Sequence, residues 1–99
     1  MVQVVSTSYR KKPVVITAVR WTGDNAEELR HFTGGRFETI NPLDLDEGSE
    51  MTAQVFDVLH NTWVSMRTGD WIVRGVKGEF YPVRDDVFRE TYEPVDESN

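Results

Sequence analysis

Catalysis requires nucleophiles, titratable pairs or metal ligands at workable spacings, and this chain offers few such sets. Its two histidines are His31 and His60, and a hydrolytic triad can be drawn from Ser65, His60 and Asp57. No nucleophile elbow or comparable ordered signature surrounds Ser65. The acidic run from Asp44 to Glu50 spaces carboxylates two apart, as calcium loops do. An EF-hand, however, needs an oxygen ligand at the fifth position, Gly at the sixth and Glu at the twelfth. Counted from Asp44, those positions hold Gly48, Ser49 and Val55, so a solvated acidic loop is expected. Gly69, Gly75 and Gly78 match neither the dinucleotide nor the P-loop fingerprint, and hairpin turns account for them. Asp70 and Glu79 are carboxylates of the kind a hydrolase uses, but seventeen acidic residues supply such pairs by chance. The chain has no cysteine, which excludes thiol catalysis, thiolate metal sites and disulfides. These residues predict no enzyme, no cofactor and no metal.

Large rings are the one chemical excess. Three Trp, five Phe and three Tyr occur in 99 residues. A small core needs such side chains, each worth about 1.5–3 kcal/mol when fully buried. Strand alternation cannot hide them all, because neighbours such as Phe80 and Tyr81 must point to opposite faces. One face is therefore expected to show a ring beside Arg74, Lys77 and Arg84. An aromatic rimmed by cations makes an interface anchor, or a platform for a nucleotide base with its phosphate on Arg or Lys. The candidate protein- or ligand-binding residues are Trp63, Trp71, Arg74, Lys77, Tyr81 and Arg84.

The elements that must position these residues can be read from the pattern. Pro13 to Trp21 is β-branched and apolar on both faces, which predicts a central strand. Asp24 is placed to cap a helix, with Glu27 as its capping-box partner. Ala26, Leu29 and Phe32 form its apolar stripe, and Gly34 or Gly35 ends it. Asn41 to Ser49 reads as a loop. Thr52–Leu59 and Thr62–Arg67 predict a hairpin turning at His60-Asn61, where Asn tolerates the left-handed conformation. Trp71–Arg74 and Glu79–Val83 predict a second hairpin around Gly75 and Gly78. Asp85 can cap a helical turn through Val87 and Phe88, and Thr91–Glu93 can add an edge strand. The expected architecture is a single α+β domain over residues 9–95, an antiparallel meander curled or closed into a small barrel, with one helix packed on it. Residues 1–8 and 96–99 are expected to be loose ends.

Charge is unevenly spread. Six basic residues oppose three acidic ones up to Phe37; five oppose fourteen from Glu38 onward, and the net charge is −6. Such a balance argues against a coat for nucleic acid or anionic lipid. No apolar run reaches the ~18 residues of a membrane span, and the first residues lack a signal-peptide core. A cytoplasmic setting is expected.

Two segments carry a family likeness. From Tyr9 through Glu28, and again from Gly69 to Glu93, with its Gly-Asp-Trp-Ile, Gly-Glu-Phe-Tyr-Pro and Thr-Tyr-Glu order, the chain resembles small proteins encoded by tailed bacteriophages and prophages, notably those of actinobacteria. The likeness spans most of Tyr9 to Val95 apart from the loop around Asn41 to Thr52. It implies an accessory role in the host cytoplasm and carries over no activity, cofactor or catalytic residue. Together these readings predict a non-enzymatic protein that binds a host or phage protein, in host takeover or counter-defence, or that pairs with itself. The alternative is a module for a small ligand or nucleotide.

Overall fold

The computed structural model describes residues 5–95. Six strands and two helices follow one another as β1 (Thr17–Arg20), α1 (Ala26–Thr33), β2 (Phe37–Thr39), β3 (Met51–Asp57), β4 (Thr62–Arg67), β5 (Trp71–Arg74), β6 (Phe80–Val83) and α2 (Asp85–Thr91). They form two separate antiparallel three-stranded sheets, ordered β1-β5-β6 and β2-β3-β4. The fold is α+β as expected, but the sheets do not close into a barrel. Nor is it one meander: the whole β2-β3-β4 sheet is inserted between β1 and its partner β5.

The first strand is shorter than the apolar run that predicted it, and it lies at an edge. Val14 and Val15 are exposed, and β5 is the strand with neighbours on both sides. β-branched residues favour extended backbone whether or not a ladder forms, so composition alone overstated both length and centrality. The helix start also differs. Asn25 precedes α1 and makes no cap to a helical N–H. Its side chain turns back instead, accepting from Thr22 N at 2.9 Å and donating to Arg20 O at 2.7 Å, which fixes the β1–α1 turn. Gly34 ends the helix in the left-handed region, at φ 64°.

Alternation along β5 divides its neighbours between two faces. Ile72 joins Phe80 toward a core shared with Ala53, Val55 and Met66 of the other sheet and with Trp21, Leu29 and Phe37. Trp21 and Phe37 meet edge-to-face at 5.0 Å, and Phe32 and Phe80 at 5.4 Å. The Trp21 indole N–H donates to Thr52 Oγ1 at 2.9 Å. Thr52 is the extra residue of a bulge in β3, and its hydroxyl also meets that of Thr68 at 2.9 Å. The register break thus frees a side chain that joins the two sheets.

Trp71, Val73 and Tyr81 point to the other face of β1-β5-β6. There α2 covers them, with Phe88 stacked on Trp71 at 4.1 Å and 7° between planes, and Tyr92 at 5.1 Å from Phe88. Thr91 closes this helix and Tyr92 follows it in extended backbone, so the expected final edge strand does not form. Residues 5–8 carry neither helix nor strand; residues 1–4 and 96–99, where the loose ends were otherwise expected, lie outside the described residues. Among the described residues, no helix is long and apolar enough to cross a membrane.

Candidate functional site

The six residues expected to share a binding face fall in different places. Trp71 is half-buried beneath Phe88 of α2, its indole N–H donating to Asp85 Oδ1 at 2.9 Å. Tyr81 lies half-buried on that same side. Arg74 is exposed but belongs to the opposite face, because it lies an odd three positions from Trp71 along an alternating strand. Lys77 sits in the β5–β6 turn, where its backbone N–H donates to Glu79 Oε2 at 2.9 Å. Arg84 precedes α2 and pairs with Asp86 at 3.0 Å. Trp63 alone projects an exposed ring from a strand, with 43% of its surface open to solvent.

An open cleft of about 520 Å³ runs beside the β4–β5 turn, lined by Arg20, Arg67, Arg84, Asp70, Asp85 and Asp86 among others. Each arginine already faces a carboxylate. Arg20 meets Asp85 at 3.5 Å, Arg67 meets Glu50 at 3.0 Å and Arg84 meets Asp86. Asp85 also accepts both oxygens' worth of contact from Arg89, at 2.9 and 3.0 Å. Hydrogen bonds from the Trp71 indole and then from Arg89, with the Arg20 charge beside them, hold the Asp85 carboxyl below the usual aspartate range. A carboxylate so stabilised stays ionised and makes a poor proton donor. No group of three or more metal-ligating side chains occurs among the described residues.

The β2-β3-β4 sheet presents a different surface. Its inner face carries Ala53, Val55 and Met66 into the core. On the outer face, where among the described residues no helix ring stacks as Phe88 does on Trp71 of the other sheet, Trp63 and Ser65 are exposed. There Phe56 and Trp63 form a cross-strand pair, edge-to-face at 5.4 Å. Val58 and Leu59 in the adjoining turn are exposed too, Leu59 by 57%. Asn61 takes φ 53° at the end of this turn. Asp57 ties it down, accepting from Leu59 N at 2.9 Å and meeting His60 Nδ1 at 2.7 Å. That His60 contact, helped by the backbone N–H groups of His60 and Leu59, lowers the Asp57 pKa against a smaller opposing effect of burial.

β4 is an edge strand with part of its backbone open. Phe56 N donates toward β2, to Arg36 O at 2.8 Å. Its partner Trp63 therefore occupies a non-hydrogen-bonded pair and turns its N–H and C=O to the free edge, as does Ser65 two residues on. Arg67 repeats the pattern, but Asp70 takes both its groups: the carboxylate accepts from Arg67 N at 2.9 Å and the Asp70 N–H donates to Arg67 O at 3.1 Å. The other edges are shorter or interrupted. Pro82 interrupts β6, β2 is three residues long with Glu38 at its centre, and β1 is four residues long with the Arg20 C=O already accepting from Asn25. From Thr62 to Met66, β4 has no charge and no proline.

Trp63 was thus legible as a candidate, whereas its neighbours Phe56, Val58 and Leu59 were not. The available signal was the placement of Val58 and Leu59 immediately before a polar turn, where apolar residues gain nothing unless something covers them. Comparison with family models, curated proteins and solved structures finds no match for this chain.

Proposed function

We propose that this chain is a non-enzymatic accessory protein of phage type, acting in the host cytoplasm by binding an extended segment of another protein along β4. One observation carries the reading: Trp63, backed by Phe56, stands exposed on the outer sheet face along the longest edge strand among the described residues. Main-chain groups of Trp63 and Ser65 would supply the pairing, and the apolar cluster would select side chains, as in strand addition to a sheet edge. A protein of net charge −6 with the ionised Asp57 beside this cluster favours a segment that is apolar at its centre and basic at its flank.

Affinity capture from a bacterial lysate tests the proposal with wild type, Trp63→Ala and Ser65→Pro. The Ser65 N–H faces away from β3, so proline there preserves the internal ladder while denying a hydrogen bond to an added strand. One protein retained by wild type and lost from both variants, with melting temperatures close to wild type, is the expected result. Equal retention by all three, or no retained protein, refutes it.

A further inference from the structure

On the opposite side of the molecule, the residues preceding β1 pass over the β5–β6 hairpin and the end of α2. Between them lies a hollow of about 250 Å³, lined by Val14, Ile16, Val76, Tyr81, Tyr92 and the Glu79 carboxylate. We propose that this hollow is a binding site for an aliphatic ammonium group, and that Lys11 is its built-in occupant.

The Lys11 ammonium stands 5.4 Å from the centre of the Tyr92 ring. No carboxylate pairs with Lys11 among the described residues, so the ring face is the contact that holds it. Attraction between a cation and an aromatic face strengthens as water is removed. Here Ile16 is half-buried, and Val14 and Val76 line the hollow while themselves exposed. A negative charge also lines the hollow. Glu79 Oε2 accepts from Lys77 N, and its carboxylate lies across Gly75, where any Cβ would collide with it. Gly75 therefore keeps open the space that this acid occupies. Burial, the neighbouring Tyr92 hydroxyl and the Glu79 charge push the Tyr81 pKa up to about 12, so that ring keeps its proton beside the carboxylate.

Two tyrosine rings, one oriented carboxylate and an apolar wall are the ingredients of an aromatic cage for ammonium ligands. Lys11 is tethered, so any external cation must displace it. Its occupancy lowers apparent affinity by the fraction of time the hollow is empty.

Titration of the methyl resonances of Val14, Ile16 and Val76 by NMR tests the site, with tetramethylammonium chloride and n-butylammonium chloride as probes and sodium chloride at equal ionic strength as reference. Lys11→Ala, with a melting temperature near wild type, should bind the better probe about three- to tenfold more tightly than wild type. Tighter binding of tetramethylammonium would assign the site to quaternary or methylated amines, and tighter binding of n-butylammonium to lysine-like primary amines. Glu79→Gln should weaken either by about fivefold, on the scale of one charge-assisted contact, with the melting temperature near wild type. Tyr92→Leu should remove the saturable shifts. Shifts no larger than those with sodium in Lys11→Ala, or an affinity unchanged by both Lys11→Ala and Glu79→Gln, would overturn the proposal.

Discussion

Trp63 and Trp71 are equivalent candidates by residue type and opposites by position, so replacing each with alanine separates scaffold from surface. Complete burial would make Trp→Ala cost about 3–5 kcal/mol. Trp71 is partly exposed, so roughly half of that applies. Loss of the stack on Phe88 adds about 1 kcal/mol, and loss of the indole hydrogen bond to Asp85 about 1 kcal/mol more. These contributions overlap, because all of them dock α2, and a total of about 3 kcal/mol is expected. Trp63 retains only its contact with Phe56 and a little burial, and should cost about 1 kcal/mol. In a domain of this size each kcal/mol moves the midpoint by about 4–8 °C. Trp71→Ala should therefore melt roughly 15 °C below wild type, and Trp63→Ala roughly 5 °C below. Differential scanning calorimetry gives both values. Capture of the partner well below both midpoints should then be lost in Trp63→Ala and kept in Trp71→Ala. Equal destabilisation by the two substitutions, or a Trp71→Ala protein as stable as wild type, would refute the assignment of α2 as a lid on the Trp71 face.

Other consequences can be measured independently. Leu29 is fully buried, and Leu29→Ala should lower unfolding free energy by about 3 kcal/mol in urea titration. Asp57 and Asp85 have folded pKa values below the ordinary aspartate value. Their contribution is present in full above about pH 4 and is lost as pH falls through the folded-state values. Midpoints recorded from pH 7 to pH 2 should stay level and then drop below about pH 4, and Asp85→Asn should flatten part of that drop. Tyr81 titrates in the other direction: its contribution is intact below about pH 10 and disappears as pH rises toward about 12. Absorbance at 295 nm should show one of the three tyrosines ionising after the others. At Asn61, with φ 53°, substitution by glycine should leave stability nearly unchanged, while valine should cost about 1–2 kcal/mol by thermal melting.

Local signals in the chain proved legible where one interaction dominates. The bounds of β4 and β5 and the stop of α1 at Gly34 follow from alternation or from a required positive φ. β3, however, ends at Asp57 and not at Leu59, so the expected tight turn at His60-Asn61 is a longer one over residues 58–61 that keeps the positive φ at Asn61. Longer-range features did not. β2 is three residues with one buried ring, Phe37, too short for a period to show. The division into two sheets depends on β1 seeking β5 rather than its sequence neighbour, which no local pattern records. Parity did carry one unused piece of information: Trp71 and Arg74, three apart on a strand, cannot share a face. The helical reach of α2 was also underread, since Trp71, Phe88 and Tyr92 meet only once that helix folds back over β5. Trp63 stood out by residue type, but its exposure depended on which sheet lacked a stacked helix ring.

The insertion of one complete sheet within another also dictates an order of assembly. β2, β3 and β4 are contiguous, so their hairpin contacts close small loops and can form as soon as those residues leave a ribosome. Ala18 instead waits for Val73, which must be synthesised and brought back across the finished unit before β1 has a partner. Ring closure over that distance is the slow, entropically costly event. Until β5 and β6 are in place, the core around Trp21 and Leu29 lacks Ile72 and Phe80, and chaperone dependence should be greatest in that interval.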